Sequence, residues 1–296
     1  MEIRVLRYFL TVVREESITK AAEVLHITQP TLSRQLAQLE ERMGVKLFIR
    51  GSRRLTLTNE GVLLRRRAEE ILELVDKTER ELAWQNEEIE GTVSIGCGDL
   101  GAVDQVLAEL IRSFRSRYPR VAFELYTATA DHVKDRMDRG LTDVGLLLEP
   151  VDMGRYDFIR LEEKESWVCA MHPDAPLAQK TTVTPEDLAN VPLVLPARMG
   201  VRSEVANWFG RYFEHLQVAF TSNLPANSSL MVNHGLAYAL LICGSRNLWD
   251  EKKIVCRPLE PELTSTCVLA WKRQQPFGAA TEKFIAYTQK WLREKE

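Results

Sequence analysis

Cysteine is sparse in this 296-residue chain: Cys97, Cys169, Cys243, Cys256 and Cys267, with none earlier and no two at C-x-x-C spacing. That scatter excludes a zinc ribbon and a disulfide framework, and no metal or cofactor is expected. No HExxH, GxSxG, P-loop or GxGxxG pattern occurs, and no histidine, aspartate and serine set supports a triad, so an enzyme is not expected. Long apolar runs are also missing. The longest, Gly235 to Gly244, is too short to span a bilayer. The opening MEIRVLRYFLTVVREE carries Glu2, Arg4, Arg7 and Arg14 and no cleavage pattern, unlike a signal peptide. There is no low-complexity segment and no internal repeat. A cytoplasmic protein without a membrane partner is the expectation.

What is present is hydrophobic material, 45% of the residues, enough to build cores in more than one domain. The net charge of −3 conceals an asymmetry. Residues 1–67 hold 13 lysines and arginines against 7 aspartates and glutamates, while the remainder holds 26 against 35. A basic head on an acidic body points to nucleic-acid contact by one end only.

Within that head, Ser17 to Arg50 has the pattern helix, tight turn, helix, strand. Ser17 can cap a helix with Ala21, Ala22 and Leu25 inward, and His26 and Ile27 form the connection. Thr28 is the next N-cap, and Pro30 falls in a first turn where its missing N–H costs nothing. Leu32, Leu36, Leu39 and Met43 then recur at helical spacing as a buried face, and Gly44 supplies a left-handed stop. Opposite them stand Gln29, Thr31, Ser33, Arg34 and Gln38. Amides and hydroxyls in the first turn suit base edges, and Ser33 and Arg34 suit phosphates. An ordinary helical hairpin with a solvated polar face is the alternative.

Two short strands, Leu47–Arg50 and Arg54–Thr58, follow through a turn, as a wing carrying Arg50, Arg53 and Arg54. Clustered guanidiniums call for an anion such as DNA phosphate; a basic solvated turn is the other reading. From Asn59 to about Ile89 no proline occurs, and Leu64, Ala68, Ile71, Val75, Thr78, Leu82, Gln85 and Ile89 follow 4-3 spacing. That seam suggests a dimer helix presenting two recognition helices to a palindromic site; packing on the chain's own body is the alternative.

Residues 1–64 resemble the DNA-binding domain of the LysR-type transcriptional regulators. The resemblance rests on Ala21-Ala22, Gln29-Pro30, Ser33-Arg34, Leu39-Glu40, Gly44, Leu47-Phe48-Ile49-Arg50 and Leu57-Thr58-Asn59-Glu60-Gly61. It continues more weakly to the carboxyl end. It implies an α/β chain with an N-terminal winged helix-turn-helix (1–58) and a long linker, or dimerisation, helix (59–90). A two-lobed α/β effector domain of periplasmic-binding-protein type follows (91–296). Lobe I would take about 91–163 and 266–296, and lobe II about 164–265. The implied partners are double-stranded DNA at a pseudo-palindromic promoter site, a small-molecule effector, and copies of the chain as a dimer or dimer of dimers.

The body has its own pattern. Thr92–Gly98, Val121–Tyr126 and Asp143–Leu148 are strand-like, separated by helices over 102–118 and 131–140. A second series follows: strands at Trp167–Met171, Leu193–Leu195 and Gln217–Thr221, with helices near 203–213 and 228–234. The strand Thr266–Trp271 and a helix over 278–292 return to the first lobe. Alternation of this kind implies a mostly parallel sheet, with ligands at strand carboxyl ends and helix amino termini. Candidates for effector contact are therefore Gly98, Asp99, Leu100, Gly101, Ala128 and Thr129 in one lobe. In the other they are Arg198, Met199, Val201, Arg202, Ser203 and Asn227, with Ser228 beside it. Arg198 or Arg202 could pair with a carboxylate. Asp99 could disfavour acids or merely cap a helix, and Met199 and Trp208 look more like packing residues. Tyr238 and Cys243 replace a glycine and a proline usual in the family, so the ring would reshape or partly fill the pocket. A thiol-based redox sensor of the same fold, or a solute-binding module that touches no DNA, are the alternatives.

Overall fold

The computed structural model describes residues 2–50, 55–82, 89–98, 102–244 and 252–294. It divides into two compact units, Met1–Ala83 and Trp84–Glu296.

The first unit opens with a helix the sequence pattern left unassigned, α1 (Ile3–Glu15), whose Val5, Leu6, Phe9 and Val12 face inward. The helix α2 (Ile18–Val24) begins where Ser17 Oγ accepts the Lys20 N–H. Its Ala21 and Ala22 are buried, and His26, at φ +53°, turns the chain into α3 (Gln29–Met43). Thr28 Oγ accepts the Thr31 N–H, Pro30 lies in the first turn, and Gly44 closes α3 at φ +69°. Leu32, Leu36 and Leu39 are buried, but Met43 is 42% exposed because the helix ends beyond the reach of its neighbours. The strands β1 (Phe48–Arg50) and β2 (Leu55–Leu57) pair antiparallel as a wing. Its tip, with Arg53 and Arg54, lies outside the described residues.

The helix α4 (Asn59–Leu82) runs for 24 residues, about 36 Å of axis. Thr58 caps it, its Oγ accepting the Gly61 N–H at 2.9 Å and donating to Lys46 O at 2.7 Å. The continuous partner seam is not what this helix presents. Leu64, Ala68 and Leu72, at intervals of four, are buried in one cluster with Leu6, Phe9 and Leu32. Ile71 stays 36% exposed with Leu74 at 42%, and Val75 is half-buried. The first two positions of the expected seam are therefore spent on this chain's own α1. Gln85 lies outside the described residues. Ile89 lies beyond the helix and packs against the core of the second unit.

The second unit starts with β3 (Gly91–Cys97), α5 (Ala102–Arg117), β4 (Val121–Thr127), α6 (Ala130–Asp138) and β5 (Val144–Leu148). A 16-residue strand, β6 (Tyr156–Met171), follows. Next come α7 (Pro185–Leu188), β7 (Pro192–Pro196), α8 (Met199–Phe209), β8 (Gln217–Ser222), α9 (Pro225–Asn233) and β9 (Tyr238–Ile242). The chain ends on β10 (Val255–Pro258), β11 (Thr264–Lys272) and α10 (Ala279–Arg293). One sheet has the order β4-β3-β5-β11-β6-β9-β7-β8, with β10 on β6. It is mixed rather than mostly parallel. β3/β4, β3/β5, β7/β8 and β7/β9 pair parallel, while β11 and β6 run antiparallel to their neighbours. Lobe I packs Phe114, Ile95 and Phe284 in its core, and lobe II packs Leu193, Val205 and Phe209. The expected helix near 203–213 begins at Met199, and a 3-10 turn covers Gly210–His215.

The two crossings between the lobes are β6 and β11, paired with each other from Thr264↔Ser166 to Lys272↔Tyr156. Glu149, just past β5, stitches the crossing. It accepts two hydrogen bonds from Arg160 on β6, at 2.8 and 2.7 Å, and one from Thr266 on β11 at 2.5 Å. The Arg160 hydrogen bonds hold the Glu149 carboxyl below its ordinary range despite partial burial. Asp143 is buried before β5, where it accepts the Ser94 N–H (2.9 Å) and the Thr281 hydroxyl (3.0 Å). That pair of bonds returns α10 to lobe I.

Candidate functional site

The first candidate surface is the outer face of α3. Leu32, Leu36 and Leu39 commit the opposite side to the core, so 100° per residue leaves Thr31, Arg34 and Gln38 outward. Thr28, Gln29, Pro30, Thr31, Arg34 and Gln38 are exposed, and Ser33 is half-buried. Thr28 and Thr31 hydroxyls lie 2.8 Å apart, which orders the first turn. Behind it, Glu40 ties α3 to the wing: its carboxylate accepts the Leu47 N–H at 2.8 Å, the Phe48 N–H at 3.4 Å and the Lys46 ammonium at 2.8 Å. Burial alone would raise the Glu40 carboxyl; those three donors outweigh it and hold the group low. Arg50 closes β1, at the border of the undescribed tip.

The second candidate is a cavity of about 110 Å³ between the lobes. Lobe I contributes Gly98 past β3, Ala128, Thr129 and Ala130 at the start of α6, and Leu146 and Leu148 from β5. Lobe II contributes Arg198 and Val201 from α8, Ser222 to Pro225 and Ser228 around the start of α9, and Leu240 to Ile242 from β9. Trp167 of β6 forms part of the wall, with its indole N–H donated to Ser265 Oγ of β11 at 2.9 Å. The lining is mostly apolar. Ser228 is 3% exposed, and its hydroxyl makes no hydrogen bond within the described residues. Thr129 Oγ lies 2.7 Å from His132 Nδ1.

Of the residues expected at the cleft, Gly98, Ala128, Thr129, Arg198 and Val201 line it, while Asp99, Leu100 and Gly101 lie outside the described residues. Met199, Arg202, Ser203 and Asn227 do not line it. Val201 takes the inward position on α8, which turns Met199 to 81% exposure, against the packing role expected of it. Ser203 Oγ donates back to Met199 O. On α9 the inward residue is Ser228, leaving Asn227 exposed. Tyr238 packs in the lobe II core, outside the cavity lining. Arg198 is spoken for: its guanidinium donates to Leu148 O (2.8 Å) and Pro150 O (2.5 Å) and lies 3.4 Å from Asp131. Trp167 and the Leu240–Ile242 strand also line the cavity, and the sequence does not mark them because an apolar strand residue reads the same facing a core or a cavity; Ser222 joins them at the end of β8, its hydroxyl donated to Leu224 O. Cys169 and Cys256 sit on adjacent strands one register apart, so they point to opposite faces, and burial pushes the Cys169 thiol up.

Residues 3–62 match the model for bacterial regulatory helix-turn-helix proteins of the lysR family, and residues 86–293 match the LysR substrate binding domain. The chain belongs to the LysR-type transcriptional regulators. This regulator is 31% identical over 302 aligned positions to the Hca operon transcriptional activator HcaR of Escherichia coli K12, covering 99% of this chain and 98% of HcaR. It is 29% identical to the regulator BsdA of Bacillus subtilis, over 81% of this chain and 83% of BsdA. Full-length BenM shares the fold with a TM-score of 0.56 at 26% identity, over 99% of this chain and 96% of BenM. CbnR complexed with its target DNA aligns with a TM-score of 0.75 at 22% identity, over 98% and 99%. Among the described residues of the regulator, no helix is long and apolar enough to cross a membrane, and no group of metal-ligating side chains occurs.

Proposed function

We propose that this regulator docks on double-stranded DNA through α3 and its wing, and that a small effector in the interlobe cavity sets how it does so. The observation that carries the reading is the placement of the cavity. Its walls come from both lobes, which among the described residues are joined by two strands, β6 and β11, so a ligand there favours one lobe arrangement over another. The protein acts as a dimer, or dimer of dimers, on a pseudo-palindromic promoter site in the cytoplasm, sensing its ligand rather than converting it. Thr28, Gln29, Pro30, Thr31 and Gln38 face base edges, Ser33 and Arg34 hold backbone phosphate, and the arginines of the wing add charge.

The effector is a compact molecule with an apolar body and one hydrogen-bonding head. A cavity of about 110 Å³ is of the order that admits a single six-membered ring, and the Ser228 hydroxyl, which has no side-chain hydrogen bond among the described residues, offers the head its partner. The test is a DNA titration at several salt concentrations beside a thermal-shift screen of amines, amino acids, aromatic acids and sugars. Binding upstream of the regulator's own gene should weaken steeply with salt, and a screen hit should change it. Binding indifferent to salt and to every stabilising compound would overturn the reading.

A further inference from the structure

We propose that Arg198 is a positioning residue that latches the two lobes, so that this one side chain decides how far the effector cavity is assembled. This inference rests on the cleft being the regulatory site. Arg198 belongs to lobe II, at the amino end of α8, yet among the described residues every polar partner of its guanidinium is in lobe I: Leu148 O at 2.8 Å, Pro150 O at 2.5 Å and the Asp131 carboxylate at 3.4 Å. Its side chain is only 10% exposed, so water competes poorly for those donors. The planar fork suits two carbonyl oxygens two residues apart, which an ammonium engages together less well.

A second observation makes the same contact independently. An added Cβ at Gly200 would lie 3.3 Å from both the Cγ and the carbonyl oxygen of Pro150. The start of α8 thus sits directly against Pro150 of lobe I, and glycine permits the approach. Arg198 also lines the cavity. Opening the latch therefore separates the walls that a ligand must touch together, and apparent affinity falls with the fraction of closed molecules.

The test uses the full-length chain with spin labels carried by non-canonical residues at the exposed Asp135 of lobe I and Asn207 of lobe II, which spares the five cysteines. Diluted with excess unlabelled protein, so that each assembly carries one labelled chain, the unsubstituted protein should give one narrow distance distribution. Arg198→Gln should shift it to longer, broader distances, and Arg198→Lys should fall between. Gly200→Leu should lengthen it too, by wedging a full side chain against Pro150, and it remains informative if Arg198→Gln does not fold. Folded variants with the parent distribution would overturn the latch. No ligand or DNA enters this measurement, so a screen that finds no effector leaves its outcome intact, and an effector found in the cleft does not rescue a latch that fails.

Discussion

Glu40 of α3 accepts the backbone N–H of Leu47 at 2.8 Å, joining the recognition helix to the first residues of the wing. The bond crosses seven positions of sequence and fixes the angle at which the wing leaves the helix. Glu40→Ala would strand that half-buried N–H, at a cost of about 1–3 kcal/mol, and should loosen DNA binding as well as stability. The carboxyl is held below its unfolded value. Its contribution is therefore complete above about pH 4.3 and fades as pH falls through the lower folded value. Unfolding titrations between pH 3 and 6, on the order of that window, should show an acid loss that Glu40→Gln lacks.

Gly61, in the first turn of α4, is the reciprocal constraint. A Cβ there would lie 2.2 Å from Leu47 O and 2.9 Å from Leu57 Cδ2. Backbone blocks the space, so Gly61→Ala must displace the wing. We expect a loss of about 1–3 kcal/mol in denaturant unfolding, with weakened DNA binding.

Along α4 the two kinds of apolar residue should separate by experiment. Leu64 is 6% exposed within the α1 core, so Leu64→Ala should cost about 2–5 kcal/mol in unfolding. Ile71 and Leu74 are exposed at 36% and 42%. Changing both to glutamate should leave the unfolding of a monomer within about 0.5 kcal/mol per site yet lower the mass seen by sedimentation. A mass that does not change would argue against α4 as the dimer helix.

These elements show where the sequence was informative. The caps at Ser17 and Thr28 and the stop at Gly44 are local chemistry, and each stands where its residue type requires. The 4-3 spacing on α4 revealed an apolar stripe but not its cover, because Leu72 continues the row of Leu64 and Ala68 toward α1 while Ile71 drifts outward. Only the apolar end of β6 was legible. Its middle, Glu162-Glu163-Lys164, is exposed, since a strand crossing between lobes is held by backbone pairing to β11 rather than by a covered face. At the cleft, a rotation of one residue separates Ser228, facing the cavity, from Asn227, facing solvent. Spacing alone does not resolve that step.

On the outer face of α3, Arg34 is exposed and forms no part of the core. Arg34→Ala should leave the melting temperature unchanged while lowering promoter affinity at all sequences alike, and should reduce the salt slope by about one ion. A loss confined to one operator position would instead make Arg34 a base reader.

Ser228 and Val201 test the cavity from opposite directions. The Ser228 hydroxyl satisfies nothing else among the described residues, so Ser228→Ala should leave unfolding within about 0.5 kcal/mol. A ligand that uses the hydroxyl would lose about 0.5–1.5 kcal/mol, roughly 2- to 10-fold in Kd. Val201, 5% exposed, borders the cavity on the lobe II wall, and Val201→Phe should fill its volume of about 110 Å³ in large part. Thermal-shift titration of any screen hit should then show a shallower response for the alanine variant and none for the phenylalanine variant, with promoter binding in the absence of ligand retained by the former. Equal responses from both variants and the parent would place the effector outside this cleft.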